Sequence, residues 1–123
     1  QPFRKENVSW WPAEMPNTKE YENGLQHLSN IDYVDYIITH TAPDETVYFL
    51  STIKQFHIKG DVYQEMPLTT YLNDIQKNTN YTHWYFGHFH VDKELWRNQT
   101  AVFNTLYELE SHQIIRQWNT YEE

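Results

Sequence analysis

The segment His83–His90 reads HWYFGHFH, three histidines and four aromatic residues around one glycine. Its first half suits a pleated, half-buried surface, where aromatic side chains are favoured. A strand is expected from about Thr82 to Phe86, ending at Gly87, so that His88 follows a strand end. Upstream, Tyr33–His40 reads YVDYIITH. Its β-branched and aromatic residues predict a buried strand over 33–39, and Thr41-Ala42-Pro43-Asp44 stops it. His40 thus also sits where a strand gives way to a loop. In open α/β sheets ligands gather at the carboxyl ends of strands.

Working outward, helical spacing frames both strands. Tyr21, Leu25 and Leu28 predict a helix near 18–28, with Asn17 or Thr18 as cap, Glu20 and Glu22 at its positive end, and Gly24 weakening it. Pro67 opens a second helix to about Asn78, with Leu68, Tyr71, Leu72 and Ile75 on one face. Between them, residues 44–66 are ambiguous. Val47, Leu50, Ile53 and Phe56 recur every three residues, which allows a helix, but their composition allows a strand; Gly60-Asp61 marks a turn. Residues 100–109 and 112–118 read as two strands joined by a tight turn near Glu110-Ser111. Residues 1–16 read as irregular, with Trp10-Trp11 as an aromatic plug on a core or a stacking surface for a ligand. The expected fold is α/β, a mixed sheet with helices on one face.

Composition narrows the chemistry. The chain has 123 residues, which bounds it at one domain or a piece of one. Seventeen acidic residues against nine basic ones, a formal charge of −8, argue against a nucleic-acid surface held by Lys and Arg. A phosphate-ester substrate stays open, because bound cations can reverse the local field. With no cysteine, any metal must be held by His, carboxylate, amide or backbone groups. No apolar run approaches the ~20 residues of a membrane span and no signal pattern opens the chain, so a cytoplasmic location is expected.

In an extended segment, His88 and His90 would point to the same side and could chelate one ion, or each hold one ion of a close pair. Gly87 would let the backbone turn where a Cβ would interfere. His40 offers a third ligand from another strand end. The competing reading is that these histidines cap strand ends through hydrogen bonds to backbone. For His27, His57, His83 and His112 a structural role is expected, since none has a partner at ligand spacing.

DYIITH followed by Thr-Ala-Pro, and WYFGHFH some forty residues further on, resemble the C-terminal part of a calcineurin-like metallophosphoesterase of bacterial or phage type. WWPAEMP and Asp92-Lys93-Glu94-Leu95 are similar as well, so the resemblance spans most of the chain. It implies a four-layer α/β/β/α sandwich of which this chain is the C-terminal half, and two divalent metal ions (Mn, Fe, Zn or Ni) at the strand ends. It implies that His40 and His88 ligate one ion and His90 the other, with His88 catalytic. The implied function is hydrolysis of phosphate esters. Paired cations polarise the phosphoryl group, acidify the attacking water and stabilise the leaving oxygen.

The same pattern includes a D-x-H, a G-D-x-x-D with a bridging aspartate, and a G-N-H. None of these occurs in the 123 residues; Gly60-Asp61 lacks the second aspartate and follows His40 rather than preceding it. The expectation is therefore a chain that supplies part of a metal site, is inactive alone, and needs the missing half or self-association to cover an apolar sheet face. The alternative is a non-catalytic protein-binding module on the same half-fold. A mononuclear zinc site of His40, His88 and His90 is a third reading.

Overall fold

The computed structural model describes residues 16–52 and 66–118. The expectations for residues 1–15, for His57 and for the Gly60-Asp61 turn lie outside these residues. The described chain is mixed α/β and falls into two compact units, residues up to 34 with 42–80, and 35–41 with 81 onward.

The first unit holds three helices, α1 (Thr18–Leu28), α2 (Asp44–Thr52) and α3 (Met66–Asn78). α1 begins at a reciprocal cap. The Asn17 side chain accepts from the Glu20 amide at 2.9 Å, and the Glu20 carboxylate accepts from the Asn17 amide at 2.9 Å. Two otherwise orphaned donors are thus satisfied at once. Tyr21 stacks at a tilt on Tyr71 of α3, ring centroids 4.7 Å apart. A Cβ at Gly24 would collide with the Tyr71 hydroxyl. The glycine that weakens the helix intrinsically is the one that lets α3's ring approach it.

α2 resolves residues 44–52 of the ambiguous stretch as a helix, while Ile53 and Phe56 lie outside the described residues. Val47 and Leu50 are buried on its inner face, and Asp44 and Glu45 occupy its first turn, where the dipole favours negative charge. α2 is tied to α3, whose Leu72 and Ile75 are also buried, by polar bonds. Thr69 and Thr70 donate to the two oxygens of Asp44 at 2.6 and 2.7 Å, Gln76 donates to Glu45 at 3.0 Å, and the Glu45 amide donates to Asn73 at 3.2 Å.

The second unit is built on a four-stranded sheet of order β1-β2-β4-β3, with β1 Tyr33–Thr39, β2 Asn80–Phe86, β3 Lys93–Glu94 and β4 Gln99–Ala101. β2 and β4 run parallel, with Trp84 opposite Gln99 and Phe86 opposite Ala101; β3 and β4 run antiparallel. The sheet is therefore mixed, as expected. Trp84 and Ala101 are wholly buried and Phe86 nearly so.

The strand expected over 100–109 is instead two short strands in different sheets. β4 ends at Ala101, and β5 (Thr105–Tyr107) pairs in a separate hairpin with β6 (Ile114–Gln117). The break has a visible cause. The Asp92 carboxylate accepts from the Phe103 amide at 2.7 Å and from the Asn104 amide at 3.0 Å, so those donors serve a turn rather than a ladder. The turn at Glu110-Ser111 closes with the His112 amide donating to the Glu108 carbonyl at 2.8 Å.

Asp44→Ala would remove the charged acceptor shared by the Thr69 and Thr70 hydroxyls at the α2–α3 seam. It is expected to lower stability by about 1–3 kcal/mol in urea denaturation, whereas Asp74→Ala on α3, which makes no such bond, should cost under about 0.5 kcal/mol.

Candidate functional site

All the histidines of interest in β1, β2 and the following loops lie in the second unit. β1 and β2 are neighbours in the sheet, and the residues that follow them meet. The His40 and His88 rings lie 4.6 Å apart, edge to face. What fixes the joint is a chain of two bonds. The buried Trp84 indole N–H donates to the Thr39 hydroxyl at 2.8 Å, and that hydroxyl donates to the Thr41 carbonyl at 2.6 Å. Residues on either side of His40 are thereby held against β2.

The segment Gly87–His90 is not extended. β2 stops at Phe86, the Phe89 amide donates to the Gly87 carbonyl at 2.9 Å, and His88 and His90 both have left-handed backbone, φ 73° and 57°. Non-glycine residues adopt this region uncommonly. The expectation that strand alternation aims the two imidazoles together is therefore corrected: two left-handed residues aim them, and their ring neighbours differ. His88 contacts His40 and Phe89, whereas His90 stacks on Phe103 at 5.0 Å. The role assigned to Gly87 is corrected too. A Cβ there would meet only the His40 and Val102 carbonyl oxygens at 3.9 Å, ordinary contact. Among the described residues, His40, His88 and His90 do not form a cluster of three closely spaced ligand atoms, which speaks against a mononuclear site of these three.

A cluster that does close in this way contains His83 and His112, for which the sequence predicts a structural role, together with Glu94. Ligand atoms of His83 on β2, Glu94 on β3 and His112 before β6 lie within 4.8 Å of one another. His112 Nε2 lies 2.7 Å from Glu94, and its Nδ1 lies 2.8 Å from the Tyr85 hydroxyl. Thr100 lies between the other two groups, 2.6 Å from His83 Nε2 and donating to Glu94 at 2.8 Å, and Tyr107 donates to Glu94 at 3.2 Å. The rings of His83 and Tyr107 stack near His112, at 4.2 and 4.6 Å. Only the register of β2 on β4 on β3 brings residues 83 and 94 together, and spacing along the chain carries no sign of it.

The network perturbs its members. Burial, then the neighbouring His112, push the His83 imidazole below its usual range, with Glu94 opposing. Burial would raise the Glu94 carboxyl, but hydrogen bonds from Thr100, His112 and Tyr107 together hold it below the usual carboxylate range. Burial and the Glu94 charge push the Tyr107 hydroxyl up to about 12.

Compared with protein-family models, with curated proteins and with solved structures, the chain matches none. Among the described residues, no helix is long and apolar enough to cross a membrane.

Two outcomes follow. Gly87→Ala should fold and should raise stability by up to about 1 kcal/mol through the unfolded state, measured by thermal denaturation; a marked loss would restore the steric role for Gly87. The depressed His83 value means the unfolded chain takes up that proton at higher pH than the folded chain. Stability should then fall as pH drops below about 6.5, and the Glu94 contribution should be lost at lower pH, as its depressed value is passed. Urea midpoints in chelator-containing buffer between about pH 7 and pH 5 should slope less in His83→Gln.

Proposed function

We propose that this chain carries part of the dinuclear metal site of a calcineurin-like phosphoric ester hydrolase, with His40 and His88 on one divalent ion and His90 on the other. The observation that carries the reading is the meeting of His40 and His88 at the adjacent ends of β1 and β2, rings 4.6 Å apart. Two imidazoles from different strands at a sheet end suit a borderline divalent cation such as Mn, Fe, Zn or Ni. The left-handed backbone at His88 and His90 supports it too, since strained conformations concentrate at functional sites.

When bound, the ion pair would polarise the phosphoryl group and lower the pKa of the attacking water. The chain's own residues have simpler tasks. Thr39 and Trp84 hold the His40 turn in place beside β2, whose end carries His88. The Phe103 ring packs flat against His90 and limits its rotation. Asp92 accepts from the Phe103 and Asn104 amides and so holds Phe103, the ring that packs on His90, in its turn. In this reading the bridging carboxylate and the remaining ligands come from the other half of the α/β/β/α sandwich. That half would also cover β6, all four residues of which are exposed, Ile114 and Ile115 among them.

The exposed β6 also favours a second reading, a non-catalytic module that binds a protein partner through this hairpin. The reading frame upstream separates the two: a D-x-H and a G-D-x-x-D there belong to the enzyme.

The test is hydrolysis of an aryl phosphate ester in the presence of Mn, by the 123-residue chain and by the product of the whole reading frame. At the His40, His88 and His90 positions the chain alone is expected to bind metal weakly, and to turn over little, because neither ion would have the usual three or four protein ligands. In the whole product, His88→Ala should lower kcat by roughly 100-fold or more and leave the helical circular dichroism unchanged. Metal-dependent turnover that survives both His88→Ala and His90→Ala would overturn the assignment.

A further inference from the structure

We propose that His83, Glu94 and His112 form a separate zinc site, independent of the His40–His88–His90 reading. Two imidazoles and one carboxylate are a donor set that suits zinc, with a water completing the tetrahedron. Their ligand atoms already lie within 4.8 Å of one another, and a tetrahedral zinc site places such atoms roughly 3.4 Å apart. His112 and Glu94 are partly exposed, at 31% and 56% of their side chains, so an ion has a path in and the side chains have room to close.

The surroundings are those of an oriented site. Metal-binding imidazoles are commonly fixed through their other ring nitrogen, and the carboxylates beside them are commonly hydrogen-bonded in turn. Tyr85 holds His112 at Nδ1, which aims Nε2 at Glu94. Thr100 and Tyr107 hold Glu94 from two sides. Each ligand comes from a different segment, β2, β3 and the turn before β6, so one ion would tie the sheet edge to the hairpin within this unit.

The protons balance without net release from neutral His112. Glu94 is an acceptor, so the neutral ring that faces it carries its hydrogen on Nε2, and the Tyr85 hydroxyl donates to Nδ1. Coordination through Nε2 moves that hydrogen to Nδ1, and the Tyr85 hydroxyl turns to accept it. Zinc binding therefore switches the tautomer of His112.

The experiment is a zinc titration of the 123-residue chain, with a chromophoric chelator as competitor and with ¹⁵N imidazole spectra of the wild type. One zinc equivalent is expected to shift the His83 and His112 signals together and to move the His112 proton from Nε2 to Nδ1. His83→Gln and Glu94→Gln should weaken that equivalent by more than about 100-fold, and Tyr85→Phe by about 10-fold. The triple variant His40→Ala, His88→Ala, His90→Ala should keep it, which separates this site from the one proposed above. The proposal is overturned if saturating zinc leaves the wild-type His83 and His112 signals in place, or if the equivalent is lost in the triple variant and kept in His83→Gln. Should His83→Gln fail to fold, the wild-type spectra decide alone.

Discussion

The hydrogen bond from the buried Trp84 indole to the Thr39 hydroxyl is the constraint on which the second unit depends. Trp84 is wholly buried, so its N–H must find a protein partner, and leaving it unmade would cost about 1–3 kcal/mol. Thr39 is the last residue of β1 and passes its own hydrogen to the Thr41 carbonyl. A slip of β1 along β2 by one residue would turn Thr39 to the other face and break both bonds. The pairing is fixed in register at the very end of the strand, where His40 follows. On the other side of Trp84, the β2–β4 ladder ends with the Val102 amide on the Phe86 carbonyl. The rigid part of the sheet thus stops on both sides next to the Gly87–His90 turn.

Two histidine constellations grow from this sheet by different physics. His40 and His88 are brought together by backbone: two adjacent strand ends and a left-handed residue. His83, Glu94 and His112 are brought together by side-chain bonds across three segments, and Thr100, Tyr85 and Tyr107 hold them. The first arrangement leaves its imidazoles defined by the fold around them. The second makes the hairpin's attachment depend on charge and protonation, because Glu94 is the common acceptor for three donors.

Much of the fold was legible in the residues themselves. Tyr21, Leu25 and Leu28 with Asn17 and Glu20 marked α1, and the β-branched run of 33–39 marked β1, because local period and capping chemistry decided both. α2 was ambiguous since apolar residues every three positions suit helix while their β-branched character suits strand; contacts with α3 decide it. The split of 100–109 was hidden because it depends on Asp92 reaching the Phe103 and Asn104 amides, eleven and twelve residues away. The meeting of His40 and His88 could be inferred from two strand ends, but the left-handed turn that aims His88 could not, since histidine gives no such signal. The Glu94 cluster was invisible for a related reason: sheet order and register are tertiary facts, and they place residues 83 and 94 side by side without any regular spacing.

The central claim is that His40 and His88 share an ion while His90 faces a second one. Anomalous diffraction from crystals of the whole reading-frame product, grown with Mn, tests it most directly. The account predicts two anomalous peaks about 3.5–4 Å apart, one bonded to imidazole nitrogens of both His40 and His88 and the other to His90. Peaks that leave His40 and His88 unbound, with the metal held elsewhere in the molecule, would contradict it.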